Sequence, residues 1–164
     1  MPPLAKLINR LDKNNIKYEL KEHRKVYTTY DSAQTQKIDV KSIGKTLLLK
    51  ADNKFLFAVI PGNKRLDTAK LKKTLNKYYD GIQEKKIMKI KIASEVQIKN
   101  NITKKVGALP PFGSLYKIPT FIDKSLFRLK KINVNAGSFT DSIEITPVQF
   151  KKFEEPIEGV FSKK

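Results

Sequence analysis

The chain has 164 residues, 40% of them hydrophobic, which is enough for one domain with a buried core, and no apolar run reaches the length of a membrane helix. It has no cysteine and a single histidine, His23, which excludes disulfides, thiolate nucleophiles, cysteine-ligated zinc and multi-histidine metal centres. Lys and Arg outnumber Asp and Glu by 34 to 16, a formal charge of +18, and residues Pro61 to Lys105 carry half of it with 13 basic and 4 acidic side chains. Such a field draws polyanions, so RNA or DNA is the favoured partner class, against the plain alternative of a lysine-rich solvated surface. The opening residues, with Lys6, Arg10 and Asp12 among apolar ones, read as neither signal peptide nor membrane anchor, and a cytosolic protein is expected.

Along the chain, Leu4, Leu7, Ile8 and Leu11 recur at helical spacing and predict an amphipathic helix from Pro3 to Asn14. Ile16 to Leu20 reads as a short strand, and Thr28-x-x-Asp31 as a capping box opening a helix through Gln36. Two apolar runs, Thr46 to Lys50 and Phe55 to Ile60, flank a turn at Asp52-Asn53 and predict a hairpin covered on both faces. Asp67 caps a predicted helix through Tyr79, with Leu71 and Leu75 inward and Lys70, Lys72, Lys73 and Lys77 outward. Lys89 to Ile92 alternates as a strand, and Ser94-x-x-Gln97 is a second capping box. After a glycine and proline loop, strands are expected at Phe121-Ile122, Ile132 to Val134 and Ile143 to Ile145, with a sharp bend at Asn135-Ala136-Gly137. Thr146-Pro147 opens a last helix that turns Phe150 and Phe153 inward. The expectation is one mixed α/β domain spanning residues 1–164.

Two segments hold the chemistry. In Ile43-Gly44-Lys45-Thr46-Leu47, a lysine stands at the mouth of an apolar strand, where its ammonium must reach water or meet an anion. Val106-Gly107-Ala108-Leu109-Pro110-Pro111-Phe112-Gly113 offers a ligand mainly backbone N–H and C=O groups held by proline. Alternatives fail on their own residues. A Ser-His-Asp triad has only His23 to recruit and no G-x-S-x-G elbow, and a Walker loop would need glycine where Asp39 stands. A cation and a rigid backbone without a nucleophile suit a substrate that is already reactive, such as an aminoacyl ester whose neighbouring ribose hydroxyl assists attack on the carbonyl.

The order Val26-Tyr27-Thr28, Ile43-Gly44-Lys45-Thr46-Leu47, Ile60-Pro61-Gly62, Leu66-Asp67, the loop at 106–113, Ile122-Asp123 and Val134-Asn135-Ala136-Gly137 resembles the YbaK-type aminoacyl-tRNA deacylases. These are free-standing relatives of the editing domain of bacterial prolyl-tRNA synthetase. The resemblance implies a curved, mostly antiparallel sheet flanked by helices and a trans-editing hydrolase that clears a small amino acid from mischarged tRNA, with proline tRNA as a candidate and an aminoacyl-tRNA synthetase as a further partner. It implies no cofactor and no metal. By position, Lys45 matches the strand lysine that contacts the tRNA terminus, and Gly107 and Pro111 match the ends of the G-x-x-x-P loop that positions the ester. Lys45 and Gly107 are thus the implied catalytic residues, and Tyr27, Thr28, Thr46, Ala108, Leu109, Pro110, Pro111, Asn135 and Gly137 the implied substrate contacts. His23 falls at a common family histidine, where packing or hydrogen bonding is expected instead of catalysis. Members acting on alanine carry a histidine where Asn135 stands, so alanine, cysteine, serine, threonine and non-protein amino acids all stay open as substrates. A non-catalytic basic RNA-binding or tRNA-binding module of the same fold is the competing reading.

Overall fold

A computed structural model describes residues 2–164. Helix α1 (Pro3–Lys13) starts with proline at its first position and buries Leu7 and Leu11 completely. It closes at Asn14 as expected, and the residues that follow correct the sequence reading. Asn15 takes a left-handed φ of 56°, Asn15 N–H bonds to Asp12 O and Ile16 N–H to Leu11 O, which is a Schellman closure with Ile16 tucked into the core. Strand β1 (Glu19–Glu22) therefore begins three residues later than the apolar pattern suggested. In α2 (Thr29–Gln36), Thr28 Oγ1 accepts from Asp31 N–H at 3.0 Å, but the Asp31 carboxylate pairs with Arg24 at 3.1 Å, so only half of the expected box forms.

Strands β2 (Ile43–Ala51) and β3 (Lys54–Pro61) make the expected hairpin, extended at both ends, and Leu56 to Ile60 are fully buried because both sheet faces are covered. After a two-residue β4 (Arg65–Leu66), Asp67 caps α3 (Thr68–Gly81), whose Leu71, Leu75 and Tyr79 pack inward. Next come β5 (Ile90–Ile92) and α4 (Glu95–Asn101), the latter opened by a complete reciprocal Ser94/Gln97 box. The chain continues through β6 (Thr120–Asp123), β7 (Ile132–Asn135), β8 (Asp141–Ile145), α5 (Pro147–Glu154), β9 (Ile157–Gly159) and β10 (Ser162–Lys163).

The main sheet runs β1-β8-β7-β2-β3-β6-β9, with β5 also pairing β2, and β10 pairs β4 in a separate ribbon. Antiparallel ladders join β1 to β8, β7 to β8, β2 to β3 and β2 to β5, while β2–β7, β3–β6 and β6–β9 are parallel. The fold is thus mixed α/β with a mostly antiparallel sheet. Alternation along the strands feeds three cores: Val59, Ile132, Val134, Ile143 and Ile145 join α1 and α5, Leu56, Ala58 and Ile60 join α3, and Leu48 and Phe57 join Ile98 of α4 and Leu109. β7 reads Ile-Asn-Val-Asn, so the pleat that sends Ile132 and Val134 into the core sends Asn133 and Asn135 to the other face, where Asn133 meets Gln36 of α2.

Candidate functional site

Parallel pairing of β2 with β7 sets Ile43 beside Asn133 and Gly44 beside Val134, and the β7–β8 register sets Asn135 across from Ser142. Gly44 sits tightly in this junction: a Cβ there would lie 3.2 Å from Val59 and 3.3 Å from Val134. With α2 above and the 106–109 loop beside them, these strands enclose a cavity of about 400 Å³, lined among others by Lys45, Thr46, Gly107, Asn133, Asn135 and Ser142.

Lys45 is half-buried, and its Nζ donates to Lys64 O at 2.8 Å. It makes no ion pair among the described residues, and burial lowers its pKa from the ordinary 10.5. A desolvated ammonium held by a single carbonyl keeps donor capacity for an anion. On the same cavity, the exposed Gly107 lies against the Phe139 ring, which a Cβ would meet at 3.2 Å, and against the Tyr27 backbone carbonyl at 3.6 Å, and the Tyr27 and Phe139 ring centroids are 5.1 Å apart. Tyr27 and Tyr30, 64% and 65% exposed, stand among the lining residues.

The residues singled out in the sequence divide into two groups. Tyr27, Thr28, Lys45, Thr46, Gly107, Leu109 and Asn135 all line the cavity. Thr28 also caps α2, and Thr46 Oγ1 is buried there with no hydrogen-bond partner. Asn135 spends its side chain on the bend, accepting from Gly137 N–H and donating to Ser138 O at 2.9 Å. Ala108, Pro110 and Pro111 do not line the cavity; they are buried behind its wall, where Ala108 N–H bonds to Lys105 O and Pro110 O accepts from Phe112 N–H. Gly137 faces away, with φ 98° and a would-be Cβ only 2.9 Å from Pro3. Its small size therefore serves the packing of α1 on the bend.

Sequence reasoning missed Ser32, Gln36, Asn133 and Ser142. Gln36 Nε2 donates to Ser32 Oγ at 2.8 Å and lies 3.3 Å from both Asn133 Oδ1 and Ser142 Oγ, and Asn133 Nδ2 donates to Gln36 Oε1 at 2.8 Å. His23 joins through Nε2, 2.9 Å from Ser142 Oγ, while its Nδ1 lies 2.8 Å from Arg24 O. The polar beats of Ile-Asn-Val-Asn, together with Ser32 and Gln36 one helical turn apart, were the available signal. Among the described residues there is no cluster of His, Asp or Glu able to hold a metal ion, and no helix is long and apolar enough to cross a membrane.

The fold recurs in solved structures. Hypothetical protein APE2540 superposes with a TM-score of 0.81 at 18% identity, over 96% of this chain and 99% of that one. A candidate trans-editing enzyme for prolyl-tRNA synthetase gives 0.76 at 16% identity, over 100% and 99%. A candidate signal-transduction protein from Marinobacter aquaeolei VT8 gives 0.69 at 18% identity, covering all of this chain but 31% of that one. At such identities the likeness is one of fold. No curated protein matches the chain in sequence. The sequence of residues 23–153 nevertheless matches the aminoacyl-tRNA editing domain, and a match over that much of the chain makes this protein a member of that family.

Proposed function

We propose that the protein is an aminoacyl-tRNA deacylase that hydrolyses the ester of mischarged tRNA in the cavity between Lys45 and Gly107. The observation that carries the reading is that a half-buried ammonium without a counter-ion and an exposed glycine backbone line one cavity. Lys45 exchanges the Lys64 carbonyl for the phosphate or ribose oxygens of the terminal nucleotide, and the exposed ring of Tyr27 or Tyr30 offers its base a stacking surface. Water, oriented by the free hydroxyl of the terminal ribose, adds to the ester carbonyl. The oxyanion is met by backbone N–H of the loop at Gly107, the acyl C–O bond breaks, and the ribose oxygen takes up the proton.

The test is deacylation of several mischarged tRNAs, including proline tRNA carrying alanine, cysteine or serine. Hydrolysis of at least one ester above the spontaneous rate is expected. If every ester survives while the tRNA binds, the protein is an RNA-binding module of the same fold, a reading equally compatible with its charge of +18.

A further inference from the structure

We infer that the cavity is built for an aminoacyl group whose side chain carries a hydroxyl, the serine and threonine class; this rests on the deacylase reading above. The wall under α2 is polar where a site for a bare methyl group would be apolar, and a census of its hydrogen bonds shows what it can still offer. Asn133 has two amide hydrogens, of which one goes to Gln36 Oε1. Ser32 Oγ accepts from Gln36 Nε2, and its own proton has no acceptor among the described residues. Ring orientation at His23 fixes the third group. Nδ1 faces Arg24 O, which can only accept, so in the neutral ring Nδ1 carries the hydrogen and Nε2 accepts from Ser142 O–H. Ser142 Oγ, which also faces Gln36 Nε2 at 3.3 Å, thereby keeps one lone pair.

Under α2, two unspent donors and one spare lone pair line the cavity, at Ser32, Asn133 and Ser142, and the unpartnered Thr46 hydroxyl adds a further donor and acceptor from β2. A hydroxyl, acceptor and donor at once, satisfies both kinds. An ammonium is all donor and meets donors, a thiol hydrogen-bonds weakly, and a methyl group leaves the wall unpaired. Asn133 and Ser142 are each 3% exposed, so a side chain seated in the cavity shuts water away from them and the loss is not made good by solvent. Size alone discriminates poorly between such small groups, whereas a site that hydrogen-bonds a hydroxyl rejects its analogue.

The test charges one tRNA with serine, threonine, cysteine or alanine and compares kcat/KM. Serine or threonine is expected to exceed alanine by about ten- to a hundredfold, the factor one unpaired buried donor forfeits; equal or faster hydrolysis of alanine overturns the inference. Affinity for serylamino- and alanylamino-adenosine, amide analogues that cannot be hydrolysed, is measured alongside by calorimetry. Absence of all hydrolysis would defeat the deacylase reading, and equal affinity for the two analogues would still defeat the side-chain inference separately. Asn133→Leu, which keeps the branched outline and heavy-atom count but no polar atom, and Ser32→Ala on the helix should each pull the serine-to-alanine ratio toward one. A ratio unchanged in both variants assigns the selectivity elsewhere and overturns the role given to this wall.

Discussion

Lys45 is the residue on which the proposed chemistry turns, and its surroundings separate function from stability. Its ammonium holds one backbone carbonyl and no carboxylate, so Lys45→Ala removes little that supports the fold. Deacylation is expected to fall about a hundredfold or more, the effect of deleting one preorganised charge or donor, with Tm nearly unchanged. Single-turnover rates and a thermal melt read the two quantities side by side. Because burial lowers the Lys45 pKa, the charged form is lost at a lower pH than for an exposed lysine. Activity corrected for spontaneous hydrolysis should therefore decline on the alkaline side before pH 10.5 is reached. An activity that keeps rising through that value would mean that the ammonium is not required.

At the scale of elements, the loop owes its position to a clamp behind it. The short turn Gly113–Tyr116 is tied to α5 through Glu154, whose buried carboxylate accepts from Ser114 N–H, Ser114 O–H and Thr120 O–H. From the other side, α1 holds the same turn: Lys6 Nζ donates to Leu115 O and Arg10 to Ser114 O. Burial raises the Glu154 pKa above 4.5 by more than Ser114, Thr120 and the nearby Arg10 lower it. The folded state thus holds this proton more tightly than the unfolded one, so the stability it contributes is full below pH 4.5 and is lost as pH rises through the folded value. Glu154→Gln cannot ionise, and the Tm difference between variant and wild type should shift in the variant's favour as pH rises across that window; a flat difference would contradict this. The N-caps at Asp67 and Ser94, the α1 stripe and the β2–β3 hairpin were legible in the sequence because their signals are local. The tail strands β9 and β10 were not. They span three and two residues, and what fixes the tail is a distant group, Asp123 Oδ2, which accepts from Phe161 and Ser162 N–H. Lys45 and Gly107 could be picked out by motif. The polar wall could not, because Gln36 meets Asn133 and Ser142 across 97 and 106 residues of chain.

For the whole molecule, +18 on 164 residues means that binding to tRNA should be governed by phosphate contacts. Affinity is expected to fall steeply and linearly on logarithmic axes as salt rises, for charged and uncharged tRNA alike, whereas selectivity among aminoacyl groups should hardly move, since it arises inside the cavity. A flat salt response measured by fluorescence anisotropy would remove the basic surface at Pro61 to Lys105 from RNA binding. The central claim is that the aminoacyl terminus sits between Lys45 and Gly107, and amide chemical-shift mapping with a non-hydrolysable aminoacyl-adenosine tests it most directly. The largest shifts are expected at Lys45, Thr46 and residues 106–109, with Asn133 and Ser142 following. Saturable shifts centred on any other surface, with these amides unmoved, would contradict it.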